Sequence, residues 1–303
     1  MSDQTTQAKF PAAAFRNFGL AALALALIFI LPLWHLLGFA LGDDLHSHIL
    51  LIPFISVYLV WQEKNKLPAS SVPAKKIGAL FFVGGGAVLV WHWWAGRSGP
   101  PLVSADSLAL TTLAFLLFLT ALAAIFLGGA TLRMLAFPFA FLLFMIPLPV
   151  AVRDGIEAAL QHGSATAAAW MFGISGMTVF RDGMIFHLPG MTLRVAPECS
   201  GIHSTLVLFI TSLLAGQMFL RQPWRRAALC LAVVPLALAR NGLRIFVIGE
   251  LCVHIGPQMI DSPIHHRGGP LFFALSLVPF FWWLHFLKKS ERLNKPGPLT
   301  SKN

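Results

Sequence analysis

Apolar residues in this chain come in long unbroken runs, separated by short polar segments rich in basic residues. The runs lie at Phe18–Leu41, Ile49–Trp61, Ile77–Gly96, Ser107–Gly128, Met134–Ala151, Gly201–Leu220, Ala227–Ile255 and Pro270–Leu287. A helix needs about 20 apolar residues to cross the hydrocarbon core of a bilayer, so each run reads as a transmembrane helix. The second is short at 13 residues and the seventh long at 29. The pattern changes between Val152 and Ser200. Arg153–Met177 is Ala-rich and helix-compatible, and is expected to lie along the membrane interface. Thr178–Val195 alternates short β-forming runs with the turn signals Arg181-Asp182-Gly183 and Leu188-Pro189-Gly190, which predicts a small β-meander. The expected fold is an all-α polytopic membrane protein of about eight transmembrane helices, with the meander on its outer face just before Cys199.

Composition agrees with this. Of 303 residues, 57% are hydrophobic and only 11% charged, against about 25% charged in soluble domains. This rules out disorder and argues against a soluble globular enzyme. The net charge of +10 does not imply a nucleic-acid partner, because the cations sit in clusters that flank apolar runs. Their distribution also orients the chain. With eight crossings and the N-terminus inside, 15 basic residues fall inside and 5 outside, while Arg240 and Arg244 lie within a span. If Ile49–Trp61 did not cross, the split would weaken to 13 against 7. Eight crossings with both termini cytoplasmic is therefore the expectation. It divides the chain into a cytoplasmic N-terminus (1–17), a membrane-embedded region (18–287) with an outer segment at 152–200, and a basic cytoplasmic tail (288–303). The first run has no convincing cleavage site and is expected to be retained as a span.

Three features carry chemistry. Arg240 and Arg244 stand at i and i+4 in an otherwise apolar stretch, and so share a helix face. Charge inside a membrane is costly, which makes it a functional signal by default. The structural alternative is snorkelling, or pairing with Glu250. Cys199 falls where the β-rich segment meets the sixth span, and a helix N-terminus favours the reactive thiolate. Cys230 and Cys252 lie mid-run and read as small buried thiols; the three cysteines form no disulfide framework. His265 and His266 precede the eighth span, on the face expected to hold Cys199, and a His beside a Cys supplies the base of thiol catalysis. His203, at i+4 from Cys199, is a rival for that role. His46 and His48, with Asp43 and Asp44, lack the third ligand cluster a metal site needs. No metal and no other cofactor are expected.

Ala196-Pro197-Glu198-Cys199-Ser200-Gly201-Ile202, followed by Asn241-Gly242-Leu243-Arg244-Ile245, resembles the exosortase/archaeosortase family of membrane cysteine proteases and sorting transpeptidases. The family's third element is a His four residues before a Gly, with an aromatic four further on; His265, Gly269 and Phe273 match this and His266 does not. Ser47-His48-Ile49-Leu50-Leu51-Ile52-Pro53 with Tyr58-Leu59-Val60-Trp61 is similar to the N-terminal block. Phe137-Pro138 and Met145-Ile146-Pro147-Leu148-Pro149 are similar to the central one. The resemblance implies Cys199 as nucleophile, Arg244 as catalytic arginine and His265 as third member. Asn241, His203, His266, Arg240 and His48 are possible supporting residues, and the adjacent His266 keeps the third role open by one position. No counterpart of the extra periplasmic domain fused to some members is expected after the eighth span. The implied location is a bacterial inner membrane with the site at its periplasmic face. The implied partners are membrane lipids and exported proteins ending in a short motif, a transmembrane helix and a basic tail, as in PEP-CTERM signals. Two rivals remain. A non-enzymatic component or transporter of exopolysaccharide export would use the arginines alone, and an intramembrane metalloprotease would need an HExxH that the chain lacks.

Overall fold

The computed structural model describes residues 12–68, 72–98, 103–196, 200–261 and 268–293. Among them, six helices are long and apolar enough to cross a membrane, and two bent helix pairs raise the number of spans to as many as eight. The protein is a multi-pass membrane protein. The chain divides into two compact units, Met1–Arg153 and Asp154–Asn303.

In the first unit, α1 (Ala12–Ile28) and α2 (Ile30–Gly42) lead through a 3-10 turn (Asp44–Leu50) into α3 (Ile52–Glu63). Next come α4 (Lys75–Ser98), α5 (Ser104–Phe126), α6 (Gly128–Met134), α7 (Ala136–Phe141) and the start of α8 (Val150–Ser175). Ala114, Phe115, Leu116, Ala121, Ala123 and Ala124 make α5 the buried centre. Helix α4 lies close against it because Gly78 and Gly85 carry no side chain. A Cβ at Gly78 would stand 2.7 Å from Ile125 Cγ1, and one at Gly85 3.0 Å from Phe118. Small residues allow this approach where lipid gives no hydrophobic drive between helices. The short second span gains length from the preceding 3-10 turn, so that 23 residues from Asp44 to Lys66 form one candidate crossing.

Two runs expected as single spans are broken. Phe18–Leu41 becomes α1 and α2, bent by 76°, and Met134–Ala151 opens at the 67° bend between α6 and α7 and holds α7, a 3-10 turn (Leu142–Met145) and the first residues of α8. The cause is local. Proline lacks the N–H for the i−4 carbonyl and its ring clashes with that carbonyl. Pro32 and Pro138 therefore act at Ile28 and Met134, the last residues of α1 and α6. Pro235 acts in the same way at Leu231, the last residue of α10, although there the two helices still make one 32-residue run.

The second unit holds the rest of α8, a three-stranded sheet, α9 (Ile202–Phe219), α10 (Pro223–Leu231), α11 (Val233–His254) and α12 (Gly269–Leu293). The sheet runs β1 (Phe180–Asp182), β2 (Ile185–Leu188) and β3 (Met191–Arg194), antiparallel in sequence order, as the turn signals predict. Gly183 (φ +57°) and Gly190 (φ +83°) supply the positive φ that the two turns require. One face of the sheet buries Phe186, Leu188, Leu193 and Val195 against Phe172 of α8 and Ile245 of α11. Helix α8 approaches α11 at glycines: a Cβ on Gly242 would stand 2.6 Å from Ala167, and one on Gly163 2.7 Å from Leu238. At the far end of the unit, buried Arg225 donates from Nη1 to Leu287 O at 2.7 Å, which ties α10 to α12.

Candidate active site

Val195 ends the sheet with its N–H donating to Met184 O at 2.9 Å and its carbonyl accepting from Gln161 Nε2 at 2.7 Å. The described residues resume at Ser200, which is 1% exposed. Cys199 itself lies outside the described residues, as do His265 and His266.

The turn formed by Ser200 and Gly201, just after Cys199, is held tightly. Gly201 caps α9 in the left-handed region (φ +69°), and a Cβ there would fall inside the Asn241 side-chain amide. Its carbonyl accepts from Thr205 N–H (3.0 Å), Thr205 Oγ1 (2.8 Å) and Ser204 Oγ (3.0 Å). Asn241 Nδ2 donates to Ser200 O, and Arg240 Nη2 donates to Thr205 Oγ1 (3.2 Å) and Gly201 O (3.4 Å). Arg240 Nε closes the group by donating to Asn241 Oδ1 at 3.2 Å. The remaining backbone N–H groups of the first α9 turn give this end a partial positive charge.

Beside the turn lies a cavity of about 450 Å³ lined by Ser200, Gly201, His203, Arg244, Gly269 and Phe273. Three separated motifs thus reach a common space through Ser200 and Gly201 of the turn after Cys199, Arg244 of α11, and Gly269 and Phe273 of the third element. His203 joins them from the first turn of α9. The pairing of Arg244 with Glu250 is not what the helix favours. Six residues apart they point to different faces, and Glu250 Oε2 instead accepts from His254 Nε2 at 3.1 Å.

Arg240 sits differently from its sequence expectation. It lies outside the Asn241–Arg244 match, yet it is only 6% exposed, with Asn241 at 4%, and both are bonded to the turn. Glu157, from α8, also lines the cavity. Sequence reasoning passed over it, because the Ala-rich stretch around it reads as interfacial; its being acidic there was the available signal. Thr205 and Ser204 were missed as well, since their roles depend on how the Gly201 carbonyl is turned. Cys230 and Cys252 lie in α10 and α11, Cys230 Sγ accepting from Ser212 Oγ at 3.4 Å and Cys252 buried.

His48 belongs to the first unit, where its Nδ1 donates to Leu45 O at 3.0 Å. Nearby His46 is a structural node. Its Nε2 accepts from Leu148 N–H at 3.2 Å, so its Nδ1 carries the proton and donates to Asp43 Oδ2 at 2.9 Å. Burial works against the Asp43 carboxylate, but the His46 and Leu45 hydrogen bonds and nearby charge outweigh it and hold its pKa below the usual 3.8. Among the described residues, no group of three or more His, Cys, Asp or Glu side chains is placed to hold a metal ion.

The model of the transmembrane exosortase family matches residues 34–282. No curated protein and no solved structure matches the chain.

Proposed function

Since the chain belongs to the transmembrane exosortase family, we propose that it is a membrane-embedded cysteine peptidase and transpeptidase. Its substrates are exported proteins with a C-terminal sorting signal of the PEP-CTERM type, and it works at the periplasmic face of a bacterial inner membrane. The observation that carries this reading is the convergence of three motifs on one cavity, with Arg244 and the turn after Cys199 in its wall.

In this mechanism the Cys199 thiolate attacks the scissile carbonyl. The α9 N-terminus and neighbouring cations favour that thiolate at neutral pH. Negative charge moves to the carbonyl oxygen, and the Arg244 guanidinium offers it a planar fork of donors. His265 protonates the departing amine, the C–N bond breaks, and a thioester to Cys199 remains. Attack by an amine or by water, whose proton passes to His265, then releases the acyl group and returns the thiolate. A substrate anchored by its own helix presents its cleavage point at the interface, which suits a site built into span ends.

The test is direct. Cys199→Ala is expected to abolish processing of a tagged substrate on an immunoblot while leaving the enzyme's abundance near normal. Normal processing by Cys199→Ala would remove the cysteine-protease reading.

A further inference from the structure

Arg240 and Asn241 do not line the cavity, yet they hold the two residues directly after Cys199. Asn241 grips the Ser200 carbonyl, and its amide occupies the place a side chain at position 201 would need. Arg240 reaches the Gly201 carbonyl and Thr205 through Nη2 and steadies the Asn241 amide through Nε. Its Nη1 is buried with no hydrogen-bond partner among the described residues. A buried cation with an unsatisfied donor is a poor way to pack two helices, because the desolvation of that donor goes uncompensated. Its location explains it better: it places a fixed positive charge directly behind the turn that carries the nucleophile.

We propose that Arg240 and Asn241 are positioning residues, a clamp from α11 that sets the conformation of the Ser200–Gly201 turn and thereby the orientation and thiolate character of Cys199. The clamp rests on the reading of Cys199 as nucleophile. It has two separable parts. Asn241 fixes geometry through a donor to Ser200 O. Arg240 supplies charge and ties the turn to the first turn of α9.

The experiment compares purified Asn241→Asp, Arg240→Lys and Thr205→Val with the parent protein in liposomes, reading substrate cleavage, thermal unfolding, and the pH dependence of Cys199 alkylation by peptide mass spectrometry. Asn241→Asp keeps the shape but replaces the donor with an oxygen that repels the Ser200 carbonyl. It is expected to lower kcat about a hundredfold with KM little changed, as for a catalytic group shifted by about an ångström. Its alkylation midpoint should rise by about one pH unit as the thiol loses its preferred placement beside the cation and helix end. Arg240→Lys should keep most of the alkylation profile, because the charge stays, and still lose kcat. Thr205→Val, which leaves both residues in place, should show a smaller loss and guards against an Asn241→Asp variant that does not fold.

Unchanged alkylation profiles in all three variants, with any activity loss matched by lower unfolding temperature, would overturn the clamp and leave ordinary packing. The underlying function fails differently: Cys199→Ala would then still process substrate, whereas the alkylation readout would report on the clamp regardless.

Discussion

Two buried polar nodes, one in each unit, illustrate different uses of polarity inside an apolar protein. His46 in the first unit is 1% exposed, and both ring nitrogens are satisfied, one by Asp43 and the other by the Leu148 N–H. It joins the segment after α2 to the segment before α8 and has nothing left over. Arg240 in the second unit is nearly as buried, but it serves a left-handed turn and retains a nitrogen without a partner among the described residues. A closed network stabilises the fold. A network with a spare donor at a turn fits the positioning role proposed for Arg240. The comparison predicts that substitutions in the first node lower stability and those in the second unit's node and cavity lower turnover.

The sharpest way to break that contrast is Arg244→Lys. Lysine keeps the charge but not the planar fork, and loss of a comparable oxyanion donor lowers the rate by about a hundredfold or more. The variant should insert and accumulate while leaving the sorting signal uncut on an immunoblot. Full processing would take the arginine out of the mechanism.

His46→Ala is the counterpart. It strands the Leu148 N–H and removes a well-bonded ring, so unfolding should become easier by about 2–3 kcal/mol. Turnover per folded molecule should stay within about twofold, since the cavity is lined by other residues. A large loss in kcat at full stability would show that the first node also serves the chemistry.

The remaining cysteines give a smaller effect. Cys252→Ala should destabilise by about 1 kcal/mol through a small cavity, Cys230→Ala by no more, and both should retain processing. Equal loss of processing in both would indicate that thiols matter here for structure.

The smallest effect is the acid titration of Asp43. Its folded-state pKa lies below the usual 3.8, so the ionised carboxylate adds stability above that value and loses it as pH falls through the folded pKa. Thermal unfolding of the parent protein should therefore decline below about pH 4 more steeply than that of Asp43→Asn. Parallel curves would remove Asp43 from the node's energetics.

Much of this was legible in the chain. Long apolar runs locate the helices, and Asp182-Gly183 and Pro189-Gly190 locate the sheet turns, because both signals depend on local geometry alone. The broken spans were legible too, in Pro32 and Pro138, but hydropathy averages over a window and hides a missing N–H. Of the site, the ordered Cys, Arg and His motifs are the visible signal, and Ser200, Gly201, Arg244, Gly269 and Phe273 from those motifs line one cavity. Asn241's hold on Ser200 links a helix to a turn about forty positions earlier, and no spacing along the chain encodes it. Arg240 differs again. Its cost in a membrane is visible in sequence, whereas its target is not, since the face it shares with Arg244 could have met lipid, solvent or another helix. Glu157 is the hardest case, as a carboxylate on an Ala-rich helix looks the same whether it meets solvent or a cavity.

The most direct measurement of the central claim is the covalent one. Purified protein incubated with a sorting-signal substrate and quenched in acid should carry the substrate's acyl portion on the peptide containing Cys199. Hydroxylamine should remove it, as expected for a thioester, and Arg244→Lys should prevent its formation. Substrate cut at a normal rate with no adduct on Cys199, or with the adduct on another residue, would contradict the account.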